Sequence, residues 1–213
     1  MKYRAVRIYS LILGVLVLLG GELAFAQHQQ ITIQPFIFEN YKYKVDSDKK
    51  MDVVILPKGG LMVVGFQGRS DDETAVPRSF LVLGRQTDKH VFVPLQYLNG
   101  NDHYIKIEMY DLNGTGEEEI FFWSFGGTHY TDLEVYKIEN NQLKEIFEAG
   151  SSCNVEILKT ADSFAIKKER EKFDDPKWSY PDPSDRYEVW VWHNGEFEFS
   201  KERSTLASPE DNL

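Results

Sequence analysis

Cysteine is nearly missing from this chain: Cys153 is the one cysteine in 213 residues, so no internal disulfide can staple the fold. It reads as a small buried hydrophobe. The five histidines, at positions 28, 90, 103, 129 and 193, show no H-E-x-x-H or comparable metal-ligand spacing. There is no G-x-S-x-G elbow, no P-loop and no glycine-rich dinucleotide fingerprint, which removes the locally recognisable nucleophiles and cofactor cradles. A pair of carboxylates on separate strands leaves no local signature, so acid-base hydrolysis of glycans stays open. Positive charge is also scarce, with 24 Lys and Arg against 34 Asp and Glu and a net charge of −10. Phosphate backbones and anionic lipid surfaces require concentrated Lys and Arg, so nucleic acid and membrane surfaces are poor partners. Basic proteins, cations and neutral sugars remain.

No window carries a long amphipathic helix pattern. The long apolar run is N-terminal: Lys2, Arg4 and Arg7 precede an apolar stretch that ends at Leu19, and Ala24-Phe25-Ala26 has the small-x-small form of a cleavage site. This is the pattern of a secretory signal peptide over residues 1–26. A retained membrane helix is the rival, but Ser10 and Glu22 bracket a run shorter than the roughly 20 residues a bilayer span needs. The reading is therefore an exported protein, periplasmic or extracellular, with no membrane insertion after cleavage. It has one all-β domain over residues 27–202 and a polar, disordered tail over 203–213.

What the chain does have is alternation. Ile105, Ile107 and Met109 alternate with Lys106, Glu108 and Tyr110, and Leu133 and Val135 alternate with Asp132, Glu134 and Tyr136. That is the pattern of strands buried on one face. Similar short runs cover 31–38, 51–56, 61–66, 80–83, 91–95, 143–147, 155–158, 164–167, 187–192 and 196–199, punctuated by Gly59-Gly60, Asn99-Gly100, Gly126-Gly127, Asn140-Asn141 and Asn194-Gly195. Residues 120–125 differ, with Phe121, Trp123 and Phe125 on one face and Ile120 and Phe122 on the other. This strand should be central and covered on both sides.

A weak repeat organises these strands. LEVYKIENNQL at 133–143 lies without gaps over YEVWVWHNGEF at 187–197, an offset of 54 residues, and 80–95 forms a third, fainter hairpin. That spacing suits four-stranded, propeller-like units of short antiparallel strands, degenerate in this chain; an open β-sandwich array is the alternative. Residues 173–185, with three prolines, read as a long loop. Of the clustered aromatics, Trp190 and Trp192 share one strand face and read as packing, whereas Trp178 and Tyr180 are better placed to stack on a sugar.

The stretch YDLNGTGEEEIFF at 110–122, followed by GGTHYTDLEVYKIENNQLKEIFE, resembles one repeat of the FG-GAP/VCBS family of exported bacterial proteins. The resemblance covers about 104–148 well and echoes weakly over 161–199. It implies a β-propeller-like fold and, where the acidic pattern is complete, a calcium ion in the loop. Carried across position by position, Asp111, Asn113 and Thr115 would offer side-chain oxygens, Glu117 a backbone carbonyl and Glu119 a carboxylate. Thr115 stands where the strongest family members have Asp, Asn113 is neutral too, and fewer charged ligands mean weaker calcium binding. The plainer reading is an Asn-Gly turn in which Asp111 caps local amides. Together these features point to an exported, non-catalytic binding or interaction module with a protein or polysaccharide partner. A secreted, glycan-active hydrolase is the alternative.

Overall fold

Alternation becomes strand almost throughout. In the computed structural model, which describes residues 31–56, 60–88, 91–127, 130–152, 154–159, 164–169 and 186–207, the elements run β1 (Phe36–Phe38), β2 (Tyr41–Val45), β3 (Met51–Ile55), β4 (Leu61–Ser70), β5 (Arg78–Asp88), β6 (Val91–Asn99) and β7 (His103–Tyr110). They continue with β8 (Glu119–Gly126), β9 (Tyr130–Glu139), β10 (Gln142–Ser151), β11 (Val155–Lys159), β12 (Phe164–Glu169), β13 (Tyr187–His193), β14 (Glu196–Phe199) and a short helix α1 (Lys201–Ala207). The leader, Cys153, His129 and the 173–185 loop with Trp178 and Tyr180 lie outside the described residues. Residues Ile33–Leu213 form one compact unit.

The strands make three antiparallel sheets. The middle sheet is the meander β7-β8-β9-β10 and the third is the meander β11-β12-β13-β14. In the first sheet β3 and β2 pair with successive halves of β4, at Met62–Phe66 and Gly68–Ser70, and β5 and β6 follow. Each sheet therefore has a four-strand sequence in which the second strand is the most enclosed. Eight consecutive residues of β4 are buried, as are seven of the eight in β8. The hairpins 133–143 and 187–197 occupy equivalent places, as third and fourth strands of their sheets, and β5–β6 closes the first sheet in the same way. Both repeat hairpins turn on left-handed residues, Asn140 and Asn141 at φ 53° and 60°, and Asn194 and Gly195 at φ 50° and 95°. Two-residue hairpins with both positions left-handed match strand twist, and Asn and Gly tolerate that torsion best.

The middle sheet packs on both neighbours, as the two-sided pattern of 120–125 demands. Ile120, Phe122, Tyr136 and Leu143 form one core with Leu56, Leu61, Val63, Leu81 and Leu83 of the first sheet and its β3–β4 connection. Phe121, Trp123, Leu133, Val135 and Ala149 form a second core with Val155, Phe164, Ile166 and Phe197 of the third. Trp190 and Trp192 belong to this second core as packing residues; the Trp190 ring lies 5.6 Å from that of Phe147.

Three expectations need correction, and one strand had no counterpart among them. Ile105 does not share a face with Ile107 and Met109. A bulge between Tyr104 and Lys106 sends Ile105 to the third-sheet side, while Tyr104, Ile107 and Met109 pack toward the first. The strand β9 is not half-exposed: Asp132 and Glu134, on the face expected to meet solvent, are buried because the first sheet covers that side. Strand β2, YKYKV, carries an alternation too short and Lys-rich to predict a strand; a turn through left-handed Glu39 and Asn40 folds it back on β1. The disorder expected of 203–213 does not hold over 203–207, which belong to α1. Ser200 Oγ accepts from Arg203 N at 3.3 Å, and Ser204 Oγ accepts from Val189 N at 2.8 Å, which ties the helix to β13.

Candidate functional site

The loop 111–118 joins β7 to β8, and its chemistry is directed inward. Asp111 Oδ1 accepts from Thr115 N at 3.0 Å and Oδ2 from Gly116 N at 2.8 Å. These backbone donors, Gly116 foremost, hold its carboxyl below the ordinary range. Gly114 and Gly116 sit at φ 66° and 78°, where an added Cβ would meet nothing; torsion rather than space calls for glycine. Glu119 Oε2 accepts from Leu112 N at 3.0 Å and Oε1 from the Asn113 Nδ2 at 3.0 Å, while burial pushes its carboxyl pKa up. The Asn113 oxygen then accepts the Trp192 indole N–H at 3.2 Å. Since a carboxylate only accepts and an indole only donates, both contacts fix the same orientation of the amide.

Of the five candidate ligands, the structure thus brings Asp111, Asn113 and Glu119 into one network. Thr115 Oγ1 accepts from Glu117 N at 3.4 Å within the loop. In kind the set suits calcium, two carboxylates with neutral oxygens. In position, the Asn113 oxygen is committed to Trp192. Among the described residues no three His, Cys, Asp or Glu side chains converge as a metal centre requires. Beside the loop opens a cleft of about 400 Å³ between the first and middle sheets. Leu56, Leu61 and Ile138 supply its apolar lining, and Glu117, Glu118, Glu119 and the ion pair of Lys137 with Glu139, at 2.6 Å, supply the charged lining.

At the other end of the same seam lies a group that alternation conceals. Asp132, Glu134 and Tyr136 line one face of β9, and across from them on β10 stand Gly150, Glu148 and Glu145. Strict alternation would put Glu145 and Glu148 on opposite faces. The bulge at Ile146 restores both to the first-sheet side and sends Phe147 into the other core. Asp132 is 6% exposed and Glu134 9%. Asp132 Oδ2 accepts from Asn101 Nδ2 at 3.2 Å; its Oδ1 has no hydrogen-bond partner. Glu134 accepts from the Tyr136 hydroxyl.

Burial first, and then the Glu148 charge, push Asp132 up to about 6. Burial, offset in part by the Tyr136 hydrogen bond, pushes Glu134 up to about 7. Asn101 is itself held by the seam: its N–H donates to Ser124 Oγ at 3.1 Å and its carbonyl accepts from Ser79 Oγ at 2.6 Å. The turn carrying it seats Gly100 so closely on β8 that an added Cβ would lie 2.7 Å from the Phe122 ring. Of all this, a sequence signal existed only for the cover: a strand flanking the two-sided 120–125 run is itself enclosed.

Comparison with family models, curated proteins and solved structures finds no match to this chain. The described structure defines a class by architecture: an all-β stack of one six-stranded and two four-stranded antiparallel sheets, repeat-like in their hairpins.

Proposed function

We propose that this chain is an exported, non-catalytic binding or interaction module, related to FG-GAP/VCBS repeats, whose ligand-facing chemistry lies along the seam between the first and middle sheets. The observation that supports it is the pairing of a ligand-sized cleft at one end of that seam with buried carboxylates at the other, on strands held rigid by two cores. Rigid sheets with polar groups gathered at their margins suit recognition, because little order is lost on binding. Export is supported by the leader pattern of residues 1–26. No described helix is long and apolar enough to cross a membrane. Calcium in the 111–119 loop belongs to the same reading as a weak, auxiliary ligand.

One observation favours the hydrolase alternative: Asp132 and Glu134 are neighbouring carboxyls with raised pKa values, a condition acid-base chemistry uses. Incubation of the purified protein with a panel of glycan and ester substrates separates the two readings. The module reading expects no turnover. Turnover abolished by Glu134→Gln would replace it with the hydrolase.

A further inference from the structure

The cleft beside the 111–118 loop opens where the ladder between β8 and β9 stops. Its last pair is Tyr136 with Ile120, whereas β9 stays paired with β10 as far as Glu139 and Gln142. The direction in which Ile138 turns its backbone follows from its partner. Ile138 stands opposite Leu143, and Leu143 turns both of its backbone groups away from β9: its N–H donates to Gln96 Oε1 at 2.7 Å and its carbonyl accepts from Gln96 Nε2 at 3.3 Å. Residues directly opposed in an antiparallel pair either exchange both bonds or turn both outward. Ile138 therefore aims its N–H and C=O away from β10, toward the side on which β8 has ended. Among the described residues no backbone group bonds to either of them there.

The cleft of about 400 Å³ lies on that side, with Ile138 in one wall, Gly116 to Glu119 in the other, and Leu56 and Leu61 beneath. A donor and an acceptor on one residue, both aimed out of a sheet margin, are what an extended chain needs in order to pair with it. A residue paired there sends its side chain to the same face as that of Ile138. Ile138 packs toward the core that holds Leu56 and Leu61, so the incoming side chain meets apolar surface. Charge then selects the flanking residues. Lys137 is already paired with Glu139, and Glu117, Glu118 and Glu119 add carboxyls to the lining. Acidic flanks are repelled, and Lys or Arg is favoured. The volume suits a residue or two rather than a long strand.

We propose that this cleft binds an extended segment of a partner protein in which an apolar residue is flanked by Lys or Arg. The apolar residue pairs its backbone with Ile138 and rests its side chain on Leu56 and Leu61, and the basic flanks meet Glu117 and Glu118. The inference rests on the module reading and assigns that module a ligand class. The chain's net charge of −10 accelerates encounter with such a segment.

The test is NMR titration of the purified, isotope-labelled protein with the capped peptide acetyl-Ser-Lys-Leu-Lys-Ser-amide at physiological salt. The expected result is saturable movement of the Ile138 amide resonance and slower hydrogen exchange at that N–H. N-methylation of the peptide's leucine removes the donor offered to the Ile138 carbonyl and should weaken binding about fivefold or more. Glycine in place of that leucine should weaken it about tenfold or more. Glu117→Gln with Glu118→Gln, both exposed, should weaken it severalfold. Glu196→Gln with Glu202→Gln, exposed on β14 and α1, removes two charges elsewhere and should leave affinity within about twofold. No movement at Ile138, indifference to N-methylation, or equal losses from the remote and the cleft substitutions overturns the inference. Photocrosslinking from Glu118 in the exported fraction decides the module reading separately: a partner captured there while the peptide fails sinks only the peptide assignment.

Discussion

Asp132 and Glu134 show how a residue's role is set by what covers it. On a half-exposed strand both would be ordinary solvated acids; under the first sheet they hold their protons to about pH 6 and 7. Both carboxyls bind a proton more tightly in the folded chain than in the unfolded one. Between the unfolded carboxylate range near pH 4 and about pH 7, the native state therefore carries more protons, and stability falls as pH rises through that window before levelling off. The whole effect is on the order of a few kcal/mol. Melting temperature measured from pH 4 to 8 should show that decline, and Glu134→Gln should flatten it and raise stability at pH 8. A wild-type curve that climbs through the window would contradict the burial of these acids. In the neighbouring core, Phe122 is fully buried between sheets, and Phe122→Ala should cost about 3–5 kcal/mol in denaturant unfolding. The apolar pattern makes Phe122 visible in the sequence. It hides the acids, because their alternation with Leu133 and Val135 imitates a solvated face.

Turns and bulges carry the element-scale lessons. The Asn-Asn and Asn-Gly hairpins are legible because left-handed torsions demand those residues, and Gly195→Ala, at φ 95°, should destabilise by about 1 kcal/mol in thermal melts. The bulges at Ile105 and Ile146 are not legible. One extra residue shifts every following side chain to the other face, and nothing in the letters marks where the shift falls. The loop DLNGTG is a turn first: Asp111 binds two backbone amides, and Asp111→Ala should cost about 1 kcal/mol with no metal present. Calcium competes with the contact between Asn113 and Trp192 and finds only two carboxylates, so its dissociation constant should fall near 10⁻⁴ to 10⁻³ M. At ten times that concentration, binding adds about 1.4 kcal/mol and a rise of a few degrees in melting temperature. The rise should vanish on chelation and in Asp111→Ala. Its absence in the wild type would leave the turn alone, and its survival in Asp111→Ala would place calcium elsewhere.

At the scale of the whole molecule, three sheets built to one plan bury two cores and leave the first seam lined with chemistry at both ends. The 54-residue offset anticipated the equivalence of the hairpins, because repeated packing leaves a repeated pattern. The first sheet was harder to read, since β2 and β3 share the work of one strand along β4. The central claim is that the seam between the first and middle sheets is the binding face. Its most direct test places a photocrosslinking residue at Glu118, at Glu145 and, as a control, at exposed Glu196 on β14, and irradiates each protein in the exported fraction. Discrete adducts at Glu118 or Glu145, absent at Glu196, are the expected result; no adducts at the seam, or the same adducts at all three positions, would contradict it.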